Sequence, residues 1–107
     1  MSYTVYIISD AEEDIFRIHR YAAINDSVQK ADILLKNIEE KISNLSGMAN
    51  RGHTPPELEQ IGIYEYREIH FKPYRIIYQI IESDVFIHCV LDGRRDLEDL
   101  LQERLLR

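Results

Sequence analysis

The stretch YRIIYQII, residues 74–81, is a nearly continuous run of aromatic and β-branched side chains. Such residues favour β-structure, and a strand without polar alternation is typical of a position buried on both faces of a sheet. Residues 64–71 and 85–91 flank this run as two further strand candidates, each separated from it by a short turn. The three segments together predict an antiparallel meander with residues 74–81 at its centre.

Two amphipathic helices are predicted upstream of the meander. Ser9 and Glu12 have the spacing of a capping box, which predicts the start of the first helix and explains the acidic residues around it as partners of the helix dipole. The second helix is predicted over residues 28–45, after a polar break at residues 25–27 that also offers a cap. The short break predicts that the two helices form an antiparallel hairpin. The apolar stripe of the first helix consists of Ala11, Ile15, Ile18 and Ala22.

The remaining segments complete an α+β fold. Residues 3–8 are a strand candidate that must join the meander to hide its apolar side chains, residues 46–60 form a polar loop, and residues 95–107 form a short amphipathic helix. The predicted order is β-α-α-β-β-β-α, with the N-terminal helical hairpin packed on a mostly antiparallel sheet of about four strands. All 107 residues are assigned to a single domain.

Composition narrows the classes of function. The net charge of −6 argues against a generic binder of polyphosphates, because nucleic-acid-binding domains usually carry a basic surface. Cys89 is the single cysteine, so the chain forms no internal disulfide. The four histidines lie far apart in sequence without helical ligand spacing, and we expect no metal and no cofactor. We predict a cytoplasmic protein without membrane association, because a signal peptide and a membrane-spanning apolar run are both missing from the sequence.

Two motifs then carry a family resemblance. The segment YREIHFKPYRIIY at residues 66–78, followed by DGRRD at residues 92–96, resembles the RelE/ParE superfamily of toxins. With the helical hairpin and the loop, the resemblance extends over essentially the whole chain. It implies a growth-inhibiting toxin of a type II toxin–antitoxin system, neutralised by a cognate antitoxin, as a homodimer or as a toxin–antitoxin hetero-oligomer.

One branch of the superfamily implies an enzyme. RelE-like members cut messenger RNA on the ribosome without a metal, and the resemblance places catalytic roles on Arg67, Arg75 and Arg95. Such a reaction needs preorganised positive charge at the scissile phosphate and a group that transfers protons. The sequence departs from this branch, since Leu101 stands where a tyrosine is often found and Ile69 stands where a second lysine is expected.

The other branch implies a binding protein. ParE-like members poison DNA gyrase by protein–protein contact, and the GRRDxxxLL ending at residues 93–101 resembles this branch more closely. The acidic net charge also fits it better, because a protein directed to the ribosome gains from a basic surface. We therefore favour the ParE-like interpretation. The candidate partner-binding residues are Tyr74, Arg94, Arg95, Leu97 and Leu101.

Simpler interpretations of the same residues stay open. Arg75 could pair with Glu68 across the turn, or with Glu65 or Asp92. Arg94 and Arg95 could neutralise Asp92 and Asp96 while opening the last helix. Two arginines at a helix start run against the dipole preference, which favours a functional role for them. His70 is interpreted as a packed or rim residue.

A third functional hypothesis is a non-toxic relic that still binds its antitoxin. All three hypotheses predict an apolar groove beside the sheet that takes an antitoxin segment.

Overall fold

The computed structural model describes residues 2–106, and within them the chain forms four strands and four helices. In chain order these are β1 (Thr4–Ile7), α1 (Ser9–Asn25), α2 (Val28–Ser43), α3 (Pro56–Glu59), β2 (Tyr66–Phe71), β3 (Tyr74–Ile81), β4 (Asp84–Asp92) and α4 (Glu98–Leu105). The predicted order β-α-α-β-β-β-α is confirmed, and the one-turn helix α3 is added to it. Two 3-10 turns, at residues 44–46 and 49–51, follow α2.

The four strands form one sheet in the order β1-β4-β3-β2. The β2–β3 and β3–β4 pairs are antiparallel, whereas β1 joins the outer side of β4 in parallel. The meander and the mostly antiparallel sheet are therefore confirmed, and the first strand does rejoin the meander. Since β3 has hydrogen-bonded neighbours on both sides, the apolar run that dominates the sequence lies in the middle of the sheet.

Both faces of the sheet are covered. A register shift between Ile77 and Tyr78 places an extra residue in β4 and rearranges which of its side chains point to each face. The core under the helical hairpin includes Ala11, Ile38, Ile42, Leu45, Ile69, Ile76, Tyr78, Val85, Ile87 and Val90. The core on the opposite face, which we call the C-terminal core, consists of Leu58, Tyr66, Ile77, Cys89, Leu91, Leu97 and Leu101.

The helical hairpin begins differently from its prediction and turns as predicted. Ile8 is the residue that precedes α1, Ser9 is already helical, and the Glu12 N–H donates to the Ile8 carbonyl at 3.0 Å. The predicted capping box is therefore wrong, because the helix starts one residue earlier than the Ser9 hydroxyl would need. At the second helix, Ser27 accepts a hydrogen bond from the Lys30 N–H at 3.1 Å, so the predicted cap is confirmed.

The C-terminal core is closed by α3 and α4. The predicted structureless loop at residues 46–60 is wrong in its second half, because Pro56 opens a helical turn that buries Leu58 completely. The last helix begins at Glu98 and not at residue 95, since Asp96 accepts a hydrogen bond from the Glu98 N–H at 3.1 Å. At its other end the Tyr66 hydroxyl donates to the Leu105 carbonyl at 3.2 Å, which ties α4 to β2.

A buried ion pair connects α1, β4 and α4. Asp14 is only 7% exposed, accepts the Val90 N–H at 3.0 Å, and receives two hydrogen bonds from Arg104 at 3.1 and 2.9 Å. The sequence predicts the acidic residues around Ser9 and Glu12 to be partners of the helix dipole. For Asp14 the structure replaces that interpretation with a specific cross-link between the two ends of the chain.

None of the helices within residues 2–106 combines the length and the hydrophobicity that a membrane-spanning segment needs.

Candidate functional site

The three arginines of the RelE-like hypothesis lie on different parts of the surface. Arg67 pairs across the strands with Tyr78, on the face covered by the helical hairpin, whereas Arg75 pairs with His70 on the opposite face. Arg95 lies in the turn before α4 and lines a separate cavity of about 250 Å³ with residues of α1 and α4. The structure therefore does not bring these three candidate catalytic residues together.

Arg67 binds the backbone of the loop that contains Asn50 and Gly52, next to β2. Its guanidinium donates to the carbonyl of Gly52 at 3.0 Å and, at 3.4 Å, to that of Asn50. The Tyr78 hydroxyl accepts the Gly52 N–H at 3.1 Å and donates to the Ala49 carbonyl at 2.6 Å. Arg67 and Tyr78 both bind backbone groups of the loop. The local fold therefore accounts for the position of the Arg67 side chain.

Arg75 is enclosed by two carboxylates. Its Nε donates to Glu68 Oε1 at 2.6 Å, and its two terminal nitrogens donate to the two oxygens of Glu57, each at 2.7 Å. The hydrogen bonds from Arg75 hold the pKa of Glu57 below its usual value, and the two carboxylates raise the pKa of Arg75. The alternative interpretation of Arg75 as the partner of Glu68 is confirmed, with Glu57 of α3 as a second partner.

Arg94 and Arg95 do not open a helix. They lie in the turn between β4 and α4, where Arg94 donates two side-chain hydrogen bonds to Asp92 at 3.0 and 2.7 Å. The hydrogen bonds from Arg94 lower the pKa of Asp92 to about 2. The conflict with the helix dipole that favoured a functional role for the two arginines is therefore absent, because acidic Glu98 and Asp99 occupy the first turn of α4.

A shallow surface cavity of about 310 Å³ lies at the end of the β2–β3 turn. It gathers two of the candidate partner-binding residues, Tyr74 and Arg94. The other residues that line it are His70, Lys72, Pro73, Gly93 and the candidate catalytic residue Arg75. Tyr74 is half-buried, burial raises the pKa of its hydroxyl, and the charge of Asp92 raises it further. Arg94 has 73% of its side chain exposed. The surface therefore offers an aromatic ring and a cation to a partner.

Leu97 and Leu101 are not on this surface. Their exposed fractions are 1% and 0%, and both side chains pack in the C-terminal core against Ile77 and Cys89. They were predicted to bind a partner, and in the chain as folded they hold α4 on the sheet.

The structure also assembles a cluster that the sequence analysis missed. The Oε2 atom of Glu68 lies 3.1 Å from Nε2 of His53 and 3.6 Å from Nε2 of His70, and these ligand atoms all lie within 4.8 Å of one another. Glu68 is 1% exposed, whereas both imidazoles face solvent. The two histidines and one carboxylate are the chemical set that can hold a transition-metal ion. The one signal in the sequence was the spacing of Glu68 and His70, which puts them on one strand face.

Comparisons with known proteins fit the fold and the motifs. The sequence model of the family described as the ParE toxin of the type II toxin–antitoxin system parDE matches residues 5–97. The chain therefore belongs to this family of toxins. No curated protein sequence matches the chain significantly.

Solved structures share the fold at low sequence identity. A chain of the chromosomal ParDE system from P. aeruginosa is 16% identical with a TM-score of 0.72, over 85% of this chain and 96% of that one. A chain of the RelBE2 toxin–antitoxin complex from Mycobacterium tuberculosis is 19% identical with a TM-score of 0.64, over 86% and 99%. A mutant of the E. coli toxin RelE in the free state is 15% identical with a TM-score of 0.64, over 100% and 98%. These likenesses establish the toxin fold, which both branches share.

Proposed function

We propose that this toxin of a type II toxin–antitoxin system inhibits growth in the cytoplasm by binding DNA gyrase and does not cut RNA. The observation that carries the proposal is the environment of Arg75, whose guanidinium makes three hydrogen bonds to Glu57 and Glu68. Stabilising a cleaved phosphate requires positive charge that is free and aimed at the reacting group. An arginine neutralised by two carboxylates does not meet that requirement.

The arrangement of the other arginines supports the same proposal. Arg67 binds loop carbonyls on one face of the sheet and Arg95 lies near α1 and α4, so neither adds charge beside Arg75. The net charge of −6 opposes attraction of an RNA backbone over the surface as a whole. Binding to a protein target needs only a surface of suitable shape and chemistry.

We assign the target contact to the cavity that contains Tyr74 and Arg94. Tyrosine and arginine are enriched among the residues that dominate binding energy at protein interfaces. The ring of Tyr74 is partly buried against the core under the helical hairpin, and Arg94 is held by Asp92 while it stays exposed. An anchored pair of this kind loses little side-chain entropy when it binds a partner.

We assign the antitoxin contact to a second surface, between β1 and the helical hairpin. A groove of about 370 Å³ there is lined by Ile7, Ile15, Phe16 and Leu35, and Phe16 is 62% exposed. An apolar groove on a small toxin suits an amphipathic antitoxin segment. The isolated chain is expected to self-associate through this surface, and Phe16→Ser is expected to reduce the association in analytical ultracentrifugation.

Two parallel assays test the proposed target. The purified chain is added to a gyrase supercoiling reaction and to ribosomes translating a defined message. We expect inhibited supercoiling and an intact message. Cleaved message with unaffected gyrase would reverse the proposal in favour of a RelE-like nuclease, and a chain that arrests neither reaction nor growth would indicate a non-toxic relic.

Variants make the same assay specific to the surface. Tyr74→Ala and Arg94→Ala are each expected to weaken gyrase inhibition by about tenfold or more, the loss typical of an interface hot spot. Tyr64→Ala and Arg20→Ala are matched controls, because both side chains are exposed and lie outside this cavity. Equal losses in the controls would show that the cavity is not the contact.

A further inference from the structure

The cluster of His53, Glu68 and His70 is built from segments that the fold brings together. His70 follows Glu68 by two residues on the same face of β2, and His53 arrives from the loop before α3. The loop is fixed to the strand by paired backbone hydrogen bonds, from the His53 N–H to the Glu68 carbonyl at 3.1 Å and from the Glu68 N–H to the His53 carbonyl at 2.7 Å. The position of His53 is therefore set by backbone contacts and not by the imidazole alone.

A close approach of backbone at Gly52 makes this arrangement possible. A side-chain carbon at Gly52 would lie 2.7 Å from the Glu68 carbonyl and in collision with the Tyr78 hydroxyl. Only glycine lets the loop pass so near to β2. The neighbouring residue His53 is consequently held above the carboxylate of Glu68.

The separations of the ligand atoms suit a small ion. Zinc binds imidazole nitrogen and carboxylate oxygen at about 2.0–2.2 Å in tetrahedral geometry, which places neighbouring ligand atoms about 3.4 Å apart. The distances from Glu68 Oε2 to His53 Nε2 and His70 Nε2, 3.1 and 3.6 Å, lie on either side of that value. The two imidazole rings meet edge to face, with an interplanar angle of 79° and their centroids 5.3 Å apart.

The second oxygen of Glu68 is already oriented. Arg75 Nε donates to Oε1 at 2.6 Å, and Glu57 holds the guanidinium from the other side. Carboxylates that bind metals are commonly fixed by hydrogen bonds of this kind from an outer shell of residues. Here the outer shell leaves Oε2 directed at the two histidines.

The balance of charge favours a cation at the same point. Glu57 and Glu68 bring two negative charges and Arg75 brings one positive charge, so this group, in which Glu57 is 23% exposed, has one negative charge in excess. Glu68 is 1% exposed, and an uncompensated charge is unfavourable at such a position. A divalent ion bound by two neutral imidazoles would supply the missing positive charge.

We propose that His53, Glu68 and His70 bind a divalent transition-metal ion of the Zn²⁺ class. The imidazole and carboxylate donors select zinc and similar ions over Mg²⁺ and Ca²⁺, which prefer oxygen ligands. The two histidines have 59% and 48% of their side chains exposed, so the fourth position of the ion faces solvent. A bound ion would fasten the loop at residues 47–55 to β2. The proposal does not depend on the identity of the target.

Titration of the untagged chain with ZnCl₂, followed by calorimetry, tests the proposal. We expect one ion per chain. Loss of a ligand in His53→Ala or His70→Ala is expected to reduce affinity by at least about 100-fold, more than the 10–100-fold typical of outer-shell changes. Co²⁺ in place of zinc should give the visible absorption of a tetrahedral site, which both variants lose.

The chain provides a matched control in His19→Ala. His19 Nε2 lies 2.8 Å from Asp32 Oδ1, so it forms a histidine–carboxylate pair without a second histidine. This variant is expected to bind zinc as the unaltered chain does. Absent zinc binding, or binding that His53→Ala and His70→Ala leave unchanged, would overturn the proposal. Circular dichroism of each variant separates loss of ligands from loss of fold.

Discussion

Two regions of the molecule contain a buried carboxylate paired with an arginine, and their surroundings differ. Asp14 uses both oxygens within the fold, for Arg104 and for the Val90 N–H. Glu68 gives one oxygen to Arg75 and turns the other towards two exposed histidines. We call the first region the closed pair and the second the open pair.

The difference separates a structural role from the binding role that we propose for Glu68. Every contact of the closed pair joins elements of the fold, since Asp14 is on α1, Val90 on β4 and Arg104 on α4. The open pair also contains a carboxylate–arginine ion pair, and Glu57 binds the same guanidinium as a second carboxylate. The second oxygen of Glu68, Oε2, is directed to the surface. A buried ion pair is weak evidence of function by itself, whereas one that orients further polar groups towards solvent offers a binding site.

Removing the acid of the closed pair should have the largest effect. Asp14→Ala leaves Arg104, 15% exposed, without its carboxylate and the Val90 N–H without its acceptor. Breaking a buried pair on one side costs about 3–5 kcal/mol, so we expect the free energy of unfolding in urea to fall by that amount.

The control for this prediction is Glu13→Ala, whose pair with Arg17 lies on the surface at 2.6 Å. Exposed pairs contribute about 0–1 kcal/mol. The double variant Asp14→Leu with Arg104→Met should recover part of the lost stability, since no charge stays buried alone although the Val90 N–H still lacks its acceptor. A loss below 1 kcal/mol for Asp14→Ala would contradict the structural role of the closed pair.

Removing Glu57 tests the support of the open pair. Glu57→Ala leaves Arg75 with Glu68 alone and detaches α3 from the guanidinium. Hydrogen bonds to charged groups contribute about 1.5–3 kcal/mol, and we expect a loss of that size in urea unfolding. The effect should be smaller than that of Asp14→Ala, because Arg75 keeps a partner. Glu59→Ala, on an exposed side chain of the same helical turn, should stay within about 0.5 kcal/mol of the unaltered chain.

The third prediction concerns the loop that carries His53. Gly52→Ala introduces a carbon that collides with the Tyr78 hydroxyl and approaches the Glu68 carbonyl. Overpacking of this kind costs about 1–3 kcal/mol, and we expect the urea midpoint to fall accordingly. Gly47→Ala is the matched control, since nothing lies within 4 Å of a side-chain carbon there. Equal midpoints for the two variants would show that the loop does not need its close contact with β2.

The parts of the fold that follow from local pattern were predictable. The run at residues 74–81 identifies the central strand, and the period of apolar residues identifies the helical hairpin. These elements form because neighbouring residues within each segment prefer the same secondary structure. The start of α1 was misplaced because a one-residue shift removes Ser9 from the cap, and sequence spacing does not distinguish the two alternatives.

The site depends on contacts that no local pattern encodes. Asp14 and Arg104 are 90 residues apart in sequence, and Arg75 meets Glu57 through a helical turn that was expected to be a loop. Leu97 and Leu101 have a spacing that predicts an apolar face, but whether that face meets the chain's own sheet or a partner is decided by the tertiary fold. His53 reaches Glu68 only because Gly52 allows the loop to lie against β2.

The smallest expected effect tests whether the surroundings of the closed pair exclude water. Cys89 is 0% exposed in the C-terminal core, and burial raises the pKa of its thiol to about 12 although the nearby Arg104 lowers it. An unfolded thiol ionises near pH 9. Above that pH the unfolded state loses a proton that the folded state keeps, so folding stability falls as the pH rises from 9 towards 12.

At pH 10 this linkage amounts to about 1.4 kcal/mol. We expect the loss of stability between pH 7 and pH 10, measured by urea unfolding, to be smaller by about that amount in Cys89→Ala than in the unaltered chain. The tyrosines titrate in both proteins, so their contribution to the pH dependence cancels in the comparison. An equal loss in the two proteins would mean that the thiol ionises in the folded chain, and therefore that water reaches the core beside Arg104. In that case Asp14 and Arg104 would not be shielded from water on the side of the C-terminal core.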